Sequence, residues 1–339
     1  MDTIDWGHLP FGYQKTDYNV RCYYRNGEWG VLEISSSELV NIHIAATGLH
    51  YGQEAFEGMK AFCGKDGKVR VFRWKENAKR FRSSAAGIRM AEVPDTIFKD
   101  AIWKAIKLNR KYLPPYGSGA SLYIRPLLFG VGAEVGVKPA KEYLFLVFVT
   151  PVGPYFKGGI KPVEMMLCRE CDRAAPHGTG HIKVGGNYAA SLSAIEKAHS
   201  NGYANVVFLD AKEKKYIDEC GPANFFGIKG TTYVTPDSPS ILPSITNKSL
   251  IQLAEDMGMK TERRPISVEE LSSFEEVGAC GTAAVISPIA KIVDIEKGNA
   301  YTYCKDGKPG PKSLKLYNQL ISIQTGDDPD PYGWVDIVD

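Results

Sequence analysis

The chain has 339 residues, of which 44% are hydrophobic and 24% charged, and its 41 basic and 39 acidic residues leave a net charge of +2. This composition is ordinary for a protein with an apolar core, and at roughly 150 residues per domain the length predicts about two domains. The charge balance, without a basic block, argues against nucleic acid as a partner.

The cysteines and the first residues predict the cellular location of the protein. Seven cysteines are an odd number scattered over a long chain, which is typical of reduced thiols and argues against a disulfide framework. The start, MDTIDWGHLPFG, lacks the basic and apolar regions of a secretory signal. The longest apolar run, 143–149, is far shorter than the roughly 18 residues of a membrane helix. We therefore expect a cytoplasmic protein that does not enter a membrane.

The first half of the chain mixes predicted hairpins and helices. Turns are predicted at Asn26-Gly27 and Asp66-Gly67, because β-forming residues flank both pairs. The predicted helices and strands that follow are 75–87 and 95–113, then 121–131 and 142–152. Asp95 is predicted to cap the second helix.

A linker is predicted where turn-forming residues concentrate. The stretch TPVGPYFKGGIKP, 150–162, holds three prolines and three glycines. We accordingly place an N-terminal domain at 1–151, a linker at 152–162 and a C-terminal domain at 163–339.

The second half continues with short elements of both kinds. The predicted elements are a helix over 187–203 closed by Asn201-Gly202, a strand over 205–210, a hairpin over 224–236, a helix over 247–258 ended by Gly258, and a capping box of Ser267 and Glu270. Strands and helices interleave irregularly, which favours two mixed α/β domains over a doubly wound sheet.

One lysine stands in an unusual local sequence. In HGTGHIKVGGNYAAS, 177–191, four glycines surround Lys183. The residue could be a solvated charge in a flexible loop, as most lysines are. Alternatively, a desolvated lysine amine is a nucleophile that forms a Schiff base with a carbonyl cofactor, and the glycines would let a flat ring approach the backbone.

If that cofactor is pyridoxal phosphate, the chain must also supply an acid for the pyridine nitrogen and a cradle for the phosphate. Glu219, 36 residues after the lysine, follows a predicted strand and suits the first role. Ile245 and Thr246 stand at a predicted helix start, where free N–H groups attract phosphate. Arg80 could add a bidentate charge, and Thr282 lies in a small-residue turn that suits an anion.

Seven motifs in order resemble the branched-chain amino-acid aminotransferases, a family of fold type IV pyridoxal-phosphate enzymes. They are LHYGQEAFEGMKAF (49–62), SLYIRPLLFG (121–130), TPVGPYF (150–156), GTGHIKVGGNY (178–188), ECGPANFF (219–226), LPSITNKSL (242–250) and GTAAV (281–285). The resemblance covers nearly the whole chain. It implies a mixed α/β (α+β) fold with a smaller N-terminal α/β domain and a larger C-terminal pseudo-barrel domain that binds the cofactor.

The resemblance also implies roles for individual residues. Lys183 would form the imine with the cofactor and later move a proton, Glu219 would partner the pyridine nitrogen, and Tyr188 the phenolic oxygen. The phosphate would be held by Arg80, Ile245, Thr246 and Thr282. An apolar side-chain pocket would be walled by Phe11, Tyr51, Phe56 and Tyr155, while substrate carboxylates would be received by Tyr123, Arg125, Thr282 and Ala283.

In this family a second subunit completes the site, which maps onto Tyr51, Val135 and Val137 and implies a homodimer. The implied substrates are leucine, isoleucine or valine with 2-oxoglutarate, giving glutamate. Two departures from many relatives are Ser244 in place of glycine and Pro222 in place of threonine.

Other interpretations stay open at this point. The spacing C-x2-C-x5-H-x3-H of Cys168, Cys171, His177 and His181 suggests zinc, although the gap between the pairs is shorter than the ~12 residues of a zinc finger. D-amino-acid aminotransferase, aminodeoxychorismate lyase and a cofactor-binding protein without turnover are the alternative functions. For single residues the alternatives are structural: a strand ion pair for Arg125, core packing for Tyr51 and Phe56, and a local pair or cap for Glu57.

Overall fold

The computed structural model describes residues 4–155, 159–304 and 306–338, and these residues form eighteen strands and seven helices. The strands are β1 (Asn19–Arg25), β2 (Glu28–Trp29), β3 (Glu33–Ser35), β4 (Glu54–Phe56), β5 (Met59–Cys63), β6 (Val69–Phe72), β7 (Ser121–Gly130), β8 (Tyr143–Val152), β9 (Val163–Cys168), β10 (Asn205–Leu209), β11 (Ile217–Cys220), β12 (Ala223–Lys229), β13 (Thr232–Thr235), β14 (Lys260–Arg263), β15 (Glu276–Gly281), β16 (Val285–Asp294), β17 (Asn299–Thr302) and β18 (Val335–Val338). The helices are α1 (Thr47–Tyr51), α2 (Trp74–Gly87), α3 (Asp95–Leu108), α4 (Gly185–Ala189), α5 (Leu192–Ser200), α6 (Ile245–Asp256) and α7 (Pro311–Thr325).

The chain divides into two compact units, each assembled from more than one segment. The first comprises Met1–Tyr155, Ile182–Gly185 and Ser322–Asp339, and the second comprises Phe156–His181 and Gly186–Ile321. The predicted linker, 152–162, includes residues 156–158, which lie outside the described residues, and its role stays a prediction. The four-residue segment that contains Lys183 is counted with the first unit.

The first unit is built on one nine-stranded sheet. The strand order is β18-β6-β5-β7-β8-β1-β2, with β3 added to β1 and β4 added to β7. Its core contains Phe81 of α2, Phe98 of α3 and Phe145 of β8, whose ring centroids lie 5.4 to 6.0 Å apart. Full burial of each ring contributes about 1.5–3 kcal/mol, so this cluster fixes both helices on the sheet.

The second unit contains a closed barrel. Strands β9, β10, β11, β12, β15 and β16 pair in a ring, because β11 bonds to both β10 and β12. Strands β13 and β14 extend from β12, and β17 pairs with β16. The expectation of a mixed α/β fold, rather than a doubly wound sheet, is confirmed by this architecture.

Several predicted element ends differ from the structure. Asp95 does not cap α3 but is its first residue, after Pro94. The helix predicted over 187–203 is interrupted near Ser191 and forms α4 and α5. The capping box is wrong because 268–273 is a 3₁₀ turn, in which the Glu270 carboxylate bonds to Arg264 at 2.6 and 2.8 Å instead of turning back to Ser267.

Both predicted hairpin turns are confirmed. Asn26 and Gly27 have φ values of 54° and 87°, and Gly67 has a φ of 74°. A left-handed backbone at these positions suits a tight hairpin, and it explains the Asn-Gly and Asp-Gly pairs.

All seven cysteines fall within the described residues and carry free thiols. In the same part of the chain, no helix has the length and apolarity needed to cross a membrane.

Candidate active site

Lys183 is held at its backbone by two elements of the first unit. Its carbonyl accepts a hydrogen bond from Phe56 N at 3.1 Å, and its N–H donates to Ser84 Oγ at 2.8 Å. Beside it, Val184 forms an antiparallel bridge with Ala55. The segment Ile182–Gly185 therefore lies between β4 and α2, which fixes where the lysine side chain begins.

The surroundings of Lys183 make its amine a nucleophile near neutral pH. Burial, as the largest cause, and the charge of Arg80 together lower the pKa of Lys183 to about 8, while the charge of Glu57 opposes them. A pKa of about 8 leaves about one amine in ten neutral at pH 7, against about one in three thousand at the ordinary lysine value. The ammonium also lies over the ring of Phe56, 4.7 Å from its centroid. The interpretation of Lys183 as a surface loop charge does not fit these surroundings.

Arg80 is fixed by a buried carboxylate. Glu57 is fully buried and accepts from Arg80 Nε at 2.7 Å and from Arg80 Nη2 at 2.8 Å. Asn77 Nδ2 donates to the same carboxylate at 2.7 Å. The interpretation of Glu57 as a local pair or cap is wrong, because its shortest hydrogen bonds are with Asn77 and Arg80, 20 and 23 residues along the chain.

An aromatic and cationic wall lies on one face of the first unit's sheet. As strand alternation predicts, Tyr123 and Arg125 point to the same side, and Arg125 Nη2 donates to the Tyr123 hydroxyl at 3.0 Å. The Arg125 guanidinium lies 4.8 Å from the Phe56 ring centroid. Phe11 packs edge-on against Tyr123 and Tyr155, with centroids at 5.6 and 5.9 Å. Five of the predicted substrate residues are thus brought together.

Arg125 has unused donor capacity in this wall. Its Nε is buried and has no hydrogen-bond partner among the described residues. Gly58 explains how the neighbouring tyrosine fits, because a Cβ at that position would overlap the Tyr123 hydroxyl. A buried guanidinium nitrogen without an acceptor is costly, which favours an anionic ligand at this place.

The three residues assigned to a partner's site form a separate surface. The Tyr51 hydroxyl donates to the Val135 carbonyl, so α1 and the 131–139 loop are in contact. Val135, Val137 and Tyr51 are 77%, 88% and 43% exposed. Exposed apolar side chains that cluster in this way are typical of interaction surfaces.

In the second unit, Glu219 is a buried carboxylate with a fixed set of donors. Arg173 Nε lies 2.9 Å from Glu219 Oε2, and both side chains are buried. The backbone N–H of Leu242 donates to Oε1 at 2.7 Å, and Asn224 Nδ2 does so at 3.3 Å. Arg173 is itself held by the Ser240 carbonyl at 2.9 Å. The arrangement stabilises a charged carboxylate on β11.

The remaining predicted residues also lie in the second unit. Ile245 and Thr246 are the first residues of α6, where Ser244 Oγ accepts from Asn247 N at 3.2 Å, so the departure to serine provides a helix cap. Tyr188 lies in α4, and Thr282 and Ala283 lie between β15 and β16. The turn ends at Val285, whose φ of 63° costs a β-branched residue about 1–3 kcal/mol, a strain that concentrates at functional sites.

Four further side chains were not predicted to contribute to the site. Glu57 and Ser84 act on Arg80 and Lys183 as described above, and Arg173 acts on Glu219. Lys60 is a second lysine whose pKa burial lowers to about 8, and its Nζ lies 6.0 Å from the Phe11 ring centroid. The only available signal was a charged residue inside an apolar stretch, such as Glu57 between Phe56 and Gly58.

The spacing of cysteines and histidines does not fold into a metal centre. Within the described ranges, which include Cys168, Cys171, His177 and His181, no group of three or more His, Cys, Asp or Glu side chains could hold a metal ion.

Comparisons with known proteins identify the family. The family model described as Amino-transferase class IV matches residues 54–292. A branched-chain-amino-acid aminotransferase of Helicobacter pylori (strain J99) is 46% identical over 338 residues, covering 99% of this chain and 98% of that protein. The crystal structure of the Escherichia coli branched-chain amino acid aminotransferase is similar with a TM-score of 0.79 at 29% identity, covering 96% of this chain and 100% of that one.

A third comparison concerns a bound molecule. The branched-chain amino acid aminotransferase of T.th., complexed with N-(5'-phosphopyridoxyl)-L-glutamate, is similar with a TM-score of 0.74 at 26% identity, covering 94% of this chain and 98% of that one. The resemblance read from the seven motifs is confirmed by these matches. The chain belongs to the class IV aminotransferases and, among them, to the branched-chain-amino-acid aminotransferases.

Proposed function

We propose that the chain is a transaminase that moves the amino group of L-leucine, L-isoleucine or L-valine to 2-oxoglutarate, giving the branched 2-oxo acid and L-glutamate. The reaction uses pyridoxal 5'-phosphate. The observation that carries the proposal is the Lys183 amine, whose pKa is lowered to about 8 in a chain that matches the family over nearly its full length.

The donor set fits pyridoxal phosphate. When bound, this cofactor supplies an aldehyde carbon and a ring that accepts electron density. The chain offers a buried amine on Lys183, a buried carboxylate on Glu219 and a helix N-terminus at Ile245 and Thr246. The amine suits the cofactor's carbonyl, the carboxylate suits its pyridine nitrogen, and the helix N-terminus suits its phosphate.

Each residue then has one task. Lys183 would bind the carbonyl carbon and, as a free amine, would move the proton of the substrate α-carbon. Glu219, charged beside Arg173, would accept a hydrogen bond from the pyridine nitrogen, and Tyr188 would bind the phenolic oxygen. The phosphate would be held by Arg80, Ile245, Thr246 and Thr282.

The wall of the first unit supports the choice of substrates. Phe11, Phe56 and Tyr155 offer apolar surface, and burial of a branched side chain contributes about 1.5–3 kcal/mol. Arg125 lies over Phe56 and beside Tyr123, and its unpartnered Nε is suited to the distal carboxylate of glutamate and 2-oxoglutarate. The α-carboxylate is received by Tyr123 and the amides of Thr282 and Ala283.

We further propose that the active form is a homodimer in which Tyr51, Val135 and Val137 contact the partner's substrate. The support is their exposed apolar surface, to which Ile44 and Leu49 add side chains that are 84% and 60% exposed. A single monomeric species in sedimentation at micromolar concentration would contradict this assembly.

The seven free thiols support a cytoplasmic location. Native disulfide bonds in a peptide map of the non-reduced protein would contradict that location.

The reaction is tested by two activity measurements on the purified protein. With 2-oxoglutarate as acceptor, L-leucine should give glutamate at a rate at least about 100-fold above that with D-alanine. D-Alanine would misplace groups at the reacting carbon, and every loss of about 1.4 kcal/mol in transition-state binding lowers the rate about tenfold. A faster rate with D-alanine would identify a D-amino-acid aminotransferase. Cofactor binding without glutamate formation from either donor would identify a binding protein.

A further inference from the structure

The Glu57 carboxylate accepts from several donors that the fold holds in place. Besides two nitrogens of Arg80 and one of Asn77, the N–H of Gly58 lies 3.3 Å from its Oε2. Three of these donors bond to Oε2, and Arg80 Nε bonds to Oε1, so both oxygens are engaged. A group so occupied is unsuited to acid or base catalysis and suited to holding its partners still.

The partners of Glu57 share one face of α2. Asn77 and Arg80 are three residues apart, and Ser84 follows four residues later, so the three side chains lie along one helical stripe. Ser84 Oγ donates to the Arg80 carbonyl at 3.0 Å and accepts from Lys183 N at 2.8 Å. A continuous set of hydrogen bonds therefore links Glu57 to the backbone of Lys183.

We propose that Glu57 is a positioning residue that fixes the Arg80 guanidinium for the cofactor phosphate and balances its charge beside Lys183. The inference rests on the proposed function in one respect, that Arg80 binds phosphate. A bidentate carboxylate sets both the plane and the direction of a guanidinium, which a flexible arginine side chain alone does not.

The first experiment compares the affinity of the cofactor-free protein for pyridoxal phosphate and for pyridoxal, which lacks only the phosphate. Glu57→Gln keeps the shape of the side chain but loses its charge. The variant should bind pyridoxal phosphate about 10- to 100-fold more weakly, the usual effect of losing a charged partner behind a ligand-binding group, and pyridoxal within about threefold of the wild type. Equal losses for both ligands would overturn the proposal.

A matched control is available in the second unit. Asp294 is fully buried like Glu57, and its Oδ2 accepts from two nitrogens of Arg169 at 3.0 and 2.8 Å. Asp294→Asn breaks a comparable ion pair and should leave the ratio of the two affinities unchanged. If the wild-type protein binds pyridoxal phosphate no more tightly than pyridoxal, the proposed phosphate-binding role of Arg80 is wrong. That outcome does not depend on Glu57.

The second experiment measures how fast an amine reagent modifies Lys183 of the cofactor-free protein as the pH is raised. Glu57 raises the pKa of Lys183 by charge, so Glu57→Gln should move the modification profile from about pH 8 to lower pH. Simple loosening of the structure would hydrate the amine and move the profile upward, toward the ordinary lysine value. Lys60, whose pKa burial alone lowers to about 8, should keep its profile and serves as the internal reference. An upward shift at Lys183 overturns the proposal.

A milder variant keeps the idea testable if Glu57→Gln does not fold. Asn77→Ala removes one donor and leaves the charges of Glu57 and Arg80 in place. It should lower the affinity for pyridoxal phosphate relative to pyridoxal by about threefold, consistent with the loss of one hydrogen bond. An unchanged ratio in this variant would contradict the positioning role.

Discussion

Lys183→Ala should lower turnover by at least about 10⁴-fold, because the variant loses both the nucleophilic amine and the group that moves the α-proton. The cofactor should still bind, since Arg80 and the helix start at Ile245 and Thr246 are untouched. Turnover is measured as glutamate formed from L-leucine and 2-oxoglutarate. Binding is measured by the absorbance that the protein retains after gel filtration with pyridoxal phosphate.

The site of attachment gives an independent check. Borohydride reduction of the wild-type protein should fix the cofactor on Lys183, as found by peptide mapping. Lys60 is the informative competitor, because its pKa is also lowered to about 8 by burial. Label on Lys60, or retained turnover in Lys183→Ala, would refute the assignment. The exposed Lys212 provides the matched control, for which Lys212→Ala should behave as wild type.

Arg125→Leu should slow the half-reaction with 2-oxoglutarate by about two to three decades and change the half-reaction with leucine much less. Loss of one partner of a desolvated charge pair typically costs about 3–5 kcal/mol, whereas the branched side chain of leucine needs only apolar surface. Arg125 already lies against Phe56 and bonds to the Tyr123 hydroxyl, which holds the guanidinium within the aromatic wall. Single-turnover absorbance with each substrate alone separates the two halves.

Equal losses in both half-reactions would show that Arg125 binds the α-carboxylate or supports the fold. Arg25→Leu is the matched control in the same unit, because Arg25 is 56% exposed and pairs with Glu142 at 3.1 Å. Surface ion pairs of this kind contribute about 1 kcal/mol or less, so the control should leave both half-reactions unchanged.

Local patterns predicted most of the elements but not all of their ends. The Asn26-Gly27 turn was predictable because its left-handed backbone is strongly preferred by those two residues. Asp95 was predicted as the cap of α3 but is its first residue, one position further along. Either Pro94 or Asp95 could precede the first helical residue, and the sequence pattern does not distinguish these two positions. The interruption at Ser191 was missed because the apolar spacing of α4 and α5 reads as one helix.

The chemistry of single residues was readable, but their partners were not. Lys183 was noticeable because glycines isolate it, whereas its contacts with Ser84 and Phe56 depend on a segment that pairs with β4. Arg173 and Glu219 are 46 positions apart, and nothing in either local sequence specifies that ion pair. The periodicity of the sequence indicates whether a residue is buried, but only the tertiary fold determines which residues it contacts.

The pairing of β18 with β6 has a consequence for how the chain is made. Because residues 335–338 complete the sheet edge at β6, the first unit stays unfinished until the last described strand has been synthesised. At roughly 5–20 residues per second, the ribosome needs about 10–35 s to pass from residue 156 to residue 338. During that time β6 offers unpaired backbone groups to any other strand. The nascent chain is therefore open to mispairing and aggregation at this edge, and a chaperone that covers β6 until β18 has been synthesised would protect it.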